Sequence, residues 1–265
     1  MITFPNPKIN IGLNILKRRD DGFHDIETVF IPLTEEYGYH EGELKDRLEI
    51  TPRTDGLTTL KIHRAEESMP EDSWPKDKDL CIKAYNELAA HYPLTGADIV
   101  LAKGIPTGAG LGGGSADAAF TLRMLNEIYS LGLSPEQLAM HGARIGSDIP
   151  FFIYNRPMLA TGRGEILTPI QNPVPGRRIG VVTPGITVST AEAYSGVTPS
   201  VPETRLHELV SGLDISQWKG RVVNDFEENI FKKHPALRAI KDSLYEAGAA
   251  YASMSGSGSA IYGIF

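Results

Sequence analysis

Hydrophobic and polar positions alternate over residues 7–16, with Ile9, Ile11, Leu13 and Ile15 on one face and Lys8, Asn10, Gly12 and Asn14 on the other. A period of two predicts a strand with one polar face. The charged turn Lys17-Arg18-Arg19-Asp20-Asp21-Gly22-Phe23-His24 carries an Asp-Gly hairpin signal and leads into a second strand over 26–33. Residues 34–77 are charged and turn-rich, and within them 47–50 and 57–62 predict a hairpin around Thr54-Asp55-Gly56. Leu80, Ala84 and Leu88 recur every four residues, which predicts a helix over 79–92 with those three turned inward. A strand over 97–102 follows. Ala116, Ala119, Leu122, Leu125 and Ile128 then mark a helix ending near Gly132. Ser134-Pro135-Glu136-Gln137 supplies an N-cap, an N1 proline and a capping box for a helix that stops before Gly146. The apolar run 149–154 predicts a strand. Beyond it come a hairpin around Gly162-Arg163-Gly164, a strand over 179–182, a turn at Pro184-Gly185 and a capping box at Ser189-Thr190-Ala191-Glu192. A short peripheral helix falls within 197–219, further helices open at Asn224-Asp225-Phe226-Glu227 and at Pro235, and a Gly-Ser turn over 253–260 joins two strands.

Between the strand at 97–102 and the helix at 116–128 lies Pro106-Thr107-Gly108-Ala109-Gly110-Leu111-Gly112-Gly113-Gly114-Ser115, which predicts a flexible loop capped onto the helix by Ser115. Glycines reach backbone angles closed to other residues and turn successive N–H groups toward one point. The helix start adds unpaired N–H groups and the positive end of its dipole, so the two together make a phosphate seat. Gly108, Gly110 and Gly113 satisfy the dinucleotide spacing, but that fold requires a strand ending in an acidic residue about 20 positions on, and a helix start stands there instead. The Walker spacing also nearly fits, except that glycine, Gly114, occupies its lysine position. A phosphate seat without its own lysine must import a cation. The plain alternative is a mobile linker, which the flanking strand and well-patterned helix oppose.

Composition narrows the classes. With 265 residues, 41% hydrophobic and 22% charged, the chain is an ordinary globular sequence of one large domain or two modest ones, and two are expected. A net charge of −7 opposes general nucleic-acid binding and requires an anionic substrate to be held by local cations. The single Cys81 rules out a disulfide framework, fits a reducing compartment and, in an apolar helix, reads as a buried structural thiol. No apolar run of about 18 residues and no leader pattern occurs, so a cytoplasmic location without membrane attachment is expected.

Four further positions bear on chemistry. Asn and Gly are unusual on a solvated strand face, so Lys8 and Asn10 read as the wall of a site. Lys103, three residues before Pro106, reads on its own as a solvated strand end. Asp148 stands between Gly146 and an Ile-Pro-Phe block, where a carboxylate is expensive to bury without a partner, so a functional role is expected.

The run from Pro106 to Ala119 resembles the phosphate loop of the galactokinase, homoserine kinase, mevalonate kinase and phosphomevalonate kinase superfamily of ATP-dependent small-molecule kinases. The order Pro7-Lys8-Ile9-Asn10, a strand, Asp21-Gly22-Phe23-His24 and a strand is similar to the diphosphocytidyl-methylerythritol kinase branch, and galactokinases and mevalonate kinases lack that turn. The resemblance covers almost the whole chain. It implies an α+β fold of two domains, 1–155 like ribosomal protein S5 domain 2 and 156–265 ferredoxin-like, with the active site in the cleft between them. It implies Asp148 as general base with Lys8 beside it, and Pro106, Gly108, Ala109, Gly110, Leu111, Gly112, Gly113, Gly114 and Ser115 around ATP phosphates. Lys103 and Asp79 would lie near the nucleotide, Asp79 standing where the family commonly has Asn, and the stretch 34–77 would form a rim there. Asn10 would contact substrate, with Phe23, where the family usually has Tyr, stacking on a cytosine, His24 reading its edge and Tyr194 as second stacking aromatic. The implied reaction moves the ATP γ-phosphoryl group to the 2-hydroxyl of 4-diphosphocytidyl-2-C-methyl-D-erythritol, with Mg²⁺ bridging the phosphates, no protein metal ligand assigned, and a monomer or weak homodimer. Members generally run slightly beyond Phe265, which leads to the expectation of a short further C-terminal piece. Another kinase of the superfamily, with Phe23 and His24 only packing, and an RNA-binding module of S5-like fold are the competing readings.

Overall fold

The alternation from Lys8 onward and the periodic runs around the glycine loop both form the elements they predict in a computed structural model that describes residues 1–40, 42, 44–64 and 78–265. In chain order the strands are β1 (Ile2–Thr3), β2 (Lys8–Arg18), β3 (His24–Pro32), β4 (Arg47–Pro52), β5 (Thr58–Arg64), β6 (Ala97–Lys103), β7 (Met158–Thr161), β8 (Ile166–Pro169), β9 (Ile179–Val182), β10 (Tyr251–Met254) and β11 (Ile261–Ile264). The α-helices are α1 (Leu80–Ala89), α2 (Gly113–Ile128), α3 (Pro135–Ile145), α4 (Ile149–Tyr154), α5 (Thr190–Ser195), α6 (Leu206–Gly212), α7 (Glu227–Lys233) and α8 (Pro235–Glu246). They divide between two compact units, neither of which is one continuous stretch. The first comprises Met1–Pro7, Glu43–Thr107 and Gly112–Asn155; the second comprises Lys8–Gly42, Gly108–Leu111 and Arg156–Phe265. This differs from a contiguous division at residue 155, because β3 pairs with β7 and so draws the N-terminal strands into the unit that holds the C-terminal stretch.

In the first unit the sheet order is β1-β4-β6-β5, with β4 antiparallel and β5 parallel to β6. The expected hairpin over 47–62 therefore does not form. The apolar strand β6, with Ile99 and Leu101 buried, takes the centre between β4 and β5. The Asp-Gly signal is used in another way: Gly56 adopts φ 79°, its N–H donates to the Thr95 carbonyl, and Arg53 pairs with Asp98 at 2.8 Å, tying the turn to the start of β6. Helix α1 buries Cys81, Ala84, Tyr85 and Leu88, while Leu80 is half-exposed. It packs on α2, whose Ala116, Ala119, Leu122 and Leu125 are buried. Each large apolar side chain so enclosed contributes about 1.5–3 kcal/mol. The capping box forms at Ser134, with Gln137 returning to the Ser134 N–H. The run 149–154, expected as a strand, is the helix α4 with Pro150 in its first turn. A short all-apolar segment carries no period, so buried strand and buried helix look alike in sequence.

In the second unit β2, β3, β7 and β8 form one antiparallel sheet and β10, β11 and β9 another. β2 has a bulge at Gly12 (φ 63°), where an added Cβ would meet Leu206 Cδ1 at 2.5 Å. The core joins Leu13, Ile15 and Ile26 to Ala193, Phe226, Ile230, Leu237, Met254 and Ile261. The motif at 224–227 ties this core together: Asn224 donates to the Met254 and Gly256 carbonyls, and Asp225 accepts from the Ile15 N–H. The rim expected over 34–77 lies partly outside the described residues, at 41, 43 and 65–77. Among the described residues no helix is long and apolar enough to cross a membrane.

Candidate active site

The polar face of β2 is not solvated: Lys8, Asn10 and Asn14 are all buried. The Lys8 ammonium donates to Asn10 Oδ1 and, at 3.0 Å, to the carbonyl of Gly110, and it lies 5.0 Å from the centre of the Phe30 ring. Asn10 donates through Nδ2 to Thr28 Oγ1 at 3.0 Å, and its N–H donates to Ser255 Oγ at 3.3 Å. Ser255 Oγ in turn donates to the Gly110 carbonyl at 2.9 Å. The neighbouring loop carbonyls are also occupied, Ala109 O by the Ala260 N–H and Leu111 O by the Lys8 N–H. The carbonyls of residues 109–111 are thus all taken. Gly110 holds φ 76°, and a Cβ there would run into the Ser255 carbonyl, so this residue is glycine for both conformation and space. The Gly-Ser turn between β10 and β11 thus braces residues 109 and 110 of the loop.

The loop enters α2 through Gly112 (φ 73°), the N-cap, which makes no side-chain capping bond. Ser115, expected to cap the helix, stands in its first turn instead. The left-handed step at Gly112 starts the helix earlier than a serine cap would, and Gly113 fits because a Cβ would come within 2.9 Å of Ile105. An uncapped N-terminus keeps its first-turn amides for another acceptor.

Lys103, at the end of β6, is not a solvated strand end. Its ammonium pairs with Asp46 and with Asp117 Oδ2, the latter at 2.6 Å. Burial works against the charge on Lys103, but the two carboxylates outweigh it and raise the ammonium's pKa. Burial also lifts the Asp117 carboxyl well above the ordinary range, with Lys103 opposing and Asp46 adding to the shift. Asp46 also accepts from the Gly104 and Ile105 N–H groups at 2.7 and 2.9 Å, fixing the backbone just ahead of Pro106. Asp79 caps α1 by accepting from the Cys81 N–H at 2.8 Å. Asp79, Lys103, Thr107, Gly114 and Asp117 line one cavity of about 200 Å³ whose other walls include Ile62, Leu80 and Leu101. Asp117 Oδ1, buried there, has no hydrogen-bond partner.

Asp148 precedes α4 and is half-exposed rather than buried; its carboxylate does not cap the helix. In the second unit His24 and Tyr194 stack on each other with centroids 4.8 Å apart and planes 23° apart, and Phe226 meets the Tyr194 ring edge-on. Phe23 is exposed, with the Arg163 guanidinium 4.8 Å from its ring centre. Of the expected residues, Lys8, Asn10, Phe23, His24, Gly108, Ala109, Gly110, Leu111 and Tyr194 belong to the second unit, and Asp79, Lys103, Pro106, Gly112, Gly113, Gly114, Ser115 and Asp148 to the first. A larger cleft of about 820 Å³ in the second unit, lined by Lys219, Asp225, Glu227, Lys241 and Tyr245 among others, holds none of them. Sequence reasoning missed Asp46 and Thr28, which carry no local signal, and Asp117, which lies inside the loop motif without an assigned part.

Comparison with known proteins gives the family. Residues 79–156 match the family profile of the GHMP kinases N terminal domain, and residues 199–265 match that of the GHMP kinases C terminal domain. The chain is 46% identical, over its whole length and 92% of the relative's, to 4-diphosphocytidyl-2-C-methyl-D-erythritol kinase of Parabacteroides distasonis. It is 44% identical, with the same coverage, to that of Bacteroides fragilis. A crystal structure of 4-(cytidine 5'-diphospho)-2C-methyl-D-erythritol kinase superposes with a TM-score of 0.77 at 31% identity, covering 100% of this chain and 90% of that one. Homoserine kinase from Cytophaga hutchinsonii, at 18% identity and a TM-score of 0.68 over 98% of this chain and 84% of that one, shares the fold. Full-length identity at this level, with the matching loop, joins the chain to one branch: it belongs to the 4-diphosphocytidyl-2-C-methyl-D-erythritol kinase family of the GHMP kinases.

Proposed function

We propose that the chain transfers the γ-phosphoryl group of ATP to the 2-hydroxyl of 4-diphosphocytidyl-2-C-methyl-D-erythritol, a step of the non-mevalonate route to isoprenoid precursors. The observation that carries this reading is the Lys8 ammonium bonded to the Gly110 carbonyl. A phosphate loop whose lysine position is Gly114 receives a cation from β2 instead. Phosphoryl transfer needs alignment and charge neutralisation more than covalent help. The amides of Gly108 to Ser115 and the uncapped start of α2 hold phosphate oxygens. Asp148 accepts the proton of the substrate hydroxyl, and Lys8 keeps that carboxylate ionised and offsets charge on the transferring group. The apolar walls Ile62, Leu80 and Leu101 suit a purine ring, with Lys103 and Asp79 at its rim.

Magnesium takes hard oxygen donors and few protein ligands, and the Ser115 hydroxyl in the first turn of α2 is of that kind. Held there, magnesium would offset the charge of the phosphate oxygens. Asn10 orients the acceptor. His24, its plane set by the stacked Tyr194, reads the cytosine edge, and the exposed face of Phe23 stacks on the base. The S5-like and ferredoxin-like identities of the two domains, the cleft between them, a cytoplasmic location, a monomer or weak homodimer and the absence of a nucleic-acid partner belong to the same reading, the last supported by the net charge of −7.

The test is ADP formation from ATP with the cytidine compound, homoserine and mevalonate supplied separately, with and without magnesium. Magnesium-dependent turnover of the cytidine compound alone is expected. Preference for another alcohol would remove the cytosine assignment to Phe23, His24 and Tyr194 while leaving the loop and Asp148 in place.

A further inference from the structure

Away from the residues of the proposed reaction, Glu87 in the last turn of α1, His91 in the turn that follows it and His141 of α3 point ligand atoms at one place. One atom from each lies within 4.8 Å of the others. Glu87 Oε1 is 2.8 Å from His141 Nδ1 and 3.5 Å from His91 Nε2. Two ligands bound to one zinc at about 2.1 Å in a tetrahedron stand roughly 3.4 Å apart, so the two pairs that include Glu87 bracket that spacing, while His91 and His141, within 4.8 Å of each other, close on the ion. A cation already stands beside Glu87. Arg144 Nη1 donates to Glu87 Oε1 at 2.8 Å and contacts His91 Nε2 at 3.0 Å. A guanidinium only donates, so His91 Nε2 is the nitrogen whose lone pair accepts, turned inward. Burial opposes ionisation of Glu87, but the bonds from His141 and Arg144 prevail and hold its carboxyl below the ordinary range. Arg144 is more than half exposed, at 57%, and can leave for solvent, whereas His141 is buried. The other ring nitrogen of His141 lies 3.4 Å from the Tyr92 hydroxyl, which supplies the outer partner that fixes a metal-bound imidazole.

We propose that Glu87, His91 and His141 form a zinc site that clamps the end of α1 to α3, with Arg144 as the cation it displaces and water as the fourth ligand. Nitrogen and carboxylate donors in this mix suit zinc rather than magnesium. On binding, the His141 proton moves from Nδ1 to Nε2, facing Tyr92. The sequence hides the trio because His141 arrives from another helix, although Glu87 and His91 stand four residues apart.

The experiment titrates zinc chloride into the full chain without nucleotide or magnesium, reading metal content after dialysis and the thermal midpoint. One zinc per chain and a midpoint raised by several degrees are expected. His91→Ala, at an exposed position, should weaken zinc at least about tenfold, since losing a ligand costs no less than losing its outer partner. Arg144→Ala should tighten binding severalfold by removing the competitor. The proposal is overturned if the unaltered chain holds no stoichiometric zinc, if His91→Ala binds as tightly, or if Arg144→Ala binds no more tightly than the unaltered chain.

Discussion

The Lys8 ammonium satisfies a loop carbonyl, and in the proposed reaction the same charge would also serve the phosphates. If Asp148 is the base and Lys8 its cation, Asp148→Asn should lower kcat roughly 10²–10⁴-fold, and Lys8→Ala roughly 10²–10³-fold. Steady-state turnover decides this, and a variant that keeps its kcat takes that residue out of the reaction. The polar face of β2 was legible as something other than a solvated edge because Asn and Gly are unusual there, and Lys8 and Asn10 are buried. Asp46 was not. Its value lies in a backbone it meets only after folding, at Gly104 and Ile105.

The elements were legible where a period or a cap marked them, as in β2, α1 and the capping box of α3. They were not where pattern alone had to choose between partners. The turn at residues 54–56 reads as a hairpin, yet β6 separates β4 from β5. Helix α6 shows how one carboxylate can seat an element: Glu27 of β3, itself buried, accepts from Arg205 at 2.7 Å and pairs with His207 at 2.9 Å. Burial pushes the Glu27 carboxyl up, but the bonds from His207 and Arg205 prevail and leave it below the ordinary value. A depressed carboxyl stabilises the fold above its unfolded pKa of about 4.3, and that stability fades as pH falls through the lower folded value. Glu27→Gln should therefore cost about 1–3 kcal/mol near neutrality and flatten the acid limb of stability against pH. Denaturant unfolding at several pH values measures both.

For the whole molecule, membership of the kinase family was readable because the loop, the N-terminal turn and the final Gly-Ser turn are local strings. The composition of the units was not, because pairing between β3 and β7 leaves no mark in either segment. Binding at a site present only in the folded chain stabilises it by about 2.7 kcal/mol at a hundredfold excess over Kd. Magnesium-ATP at that level should raise Tm by about 5–10 °C, and Asp148→Asn should keep this rise while losing turnover. A calorimetric scan with no shift in either protein would instead deny the nucleotide site. The interleaving of the two units also sets a timetable for the nascent chain. As residues leave the ribosome in order, the outer edge of β3 stays open until β7 emerges, and the carbonyls of Ala109 and Gly110 wait for Ser255 and Ala260 near the end of the chain. The glycine loop is thus among the last parts to be fully braced, so a stalled or shortened translation product carries the whole glycine motif with the contacts of Lys8 but without those of Ser255 and Ala260.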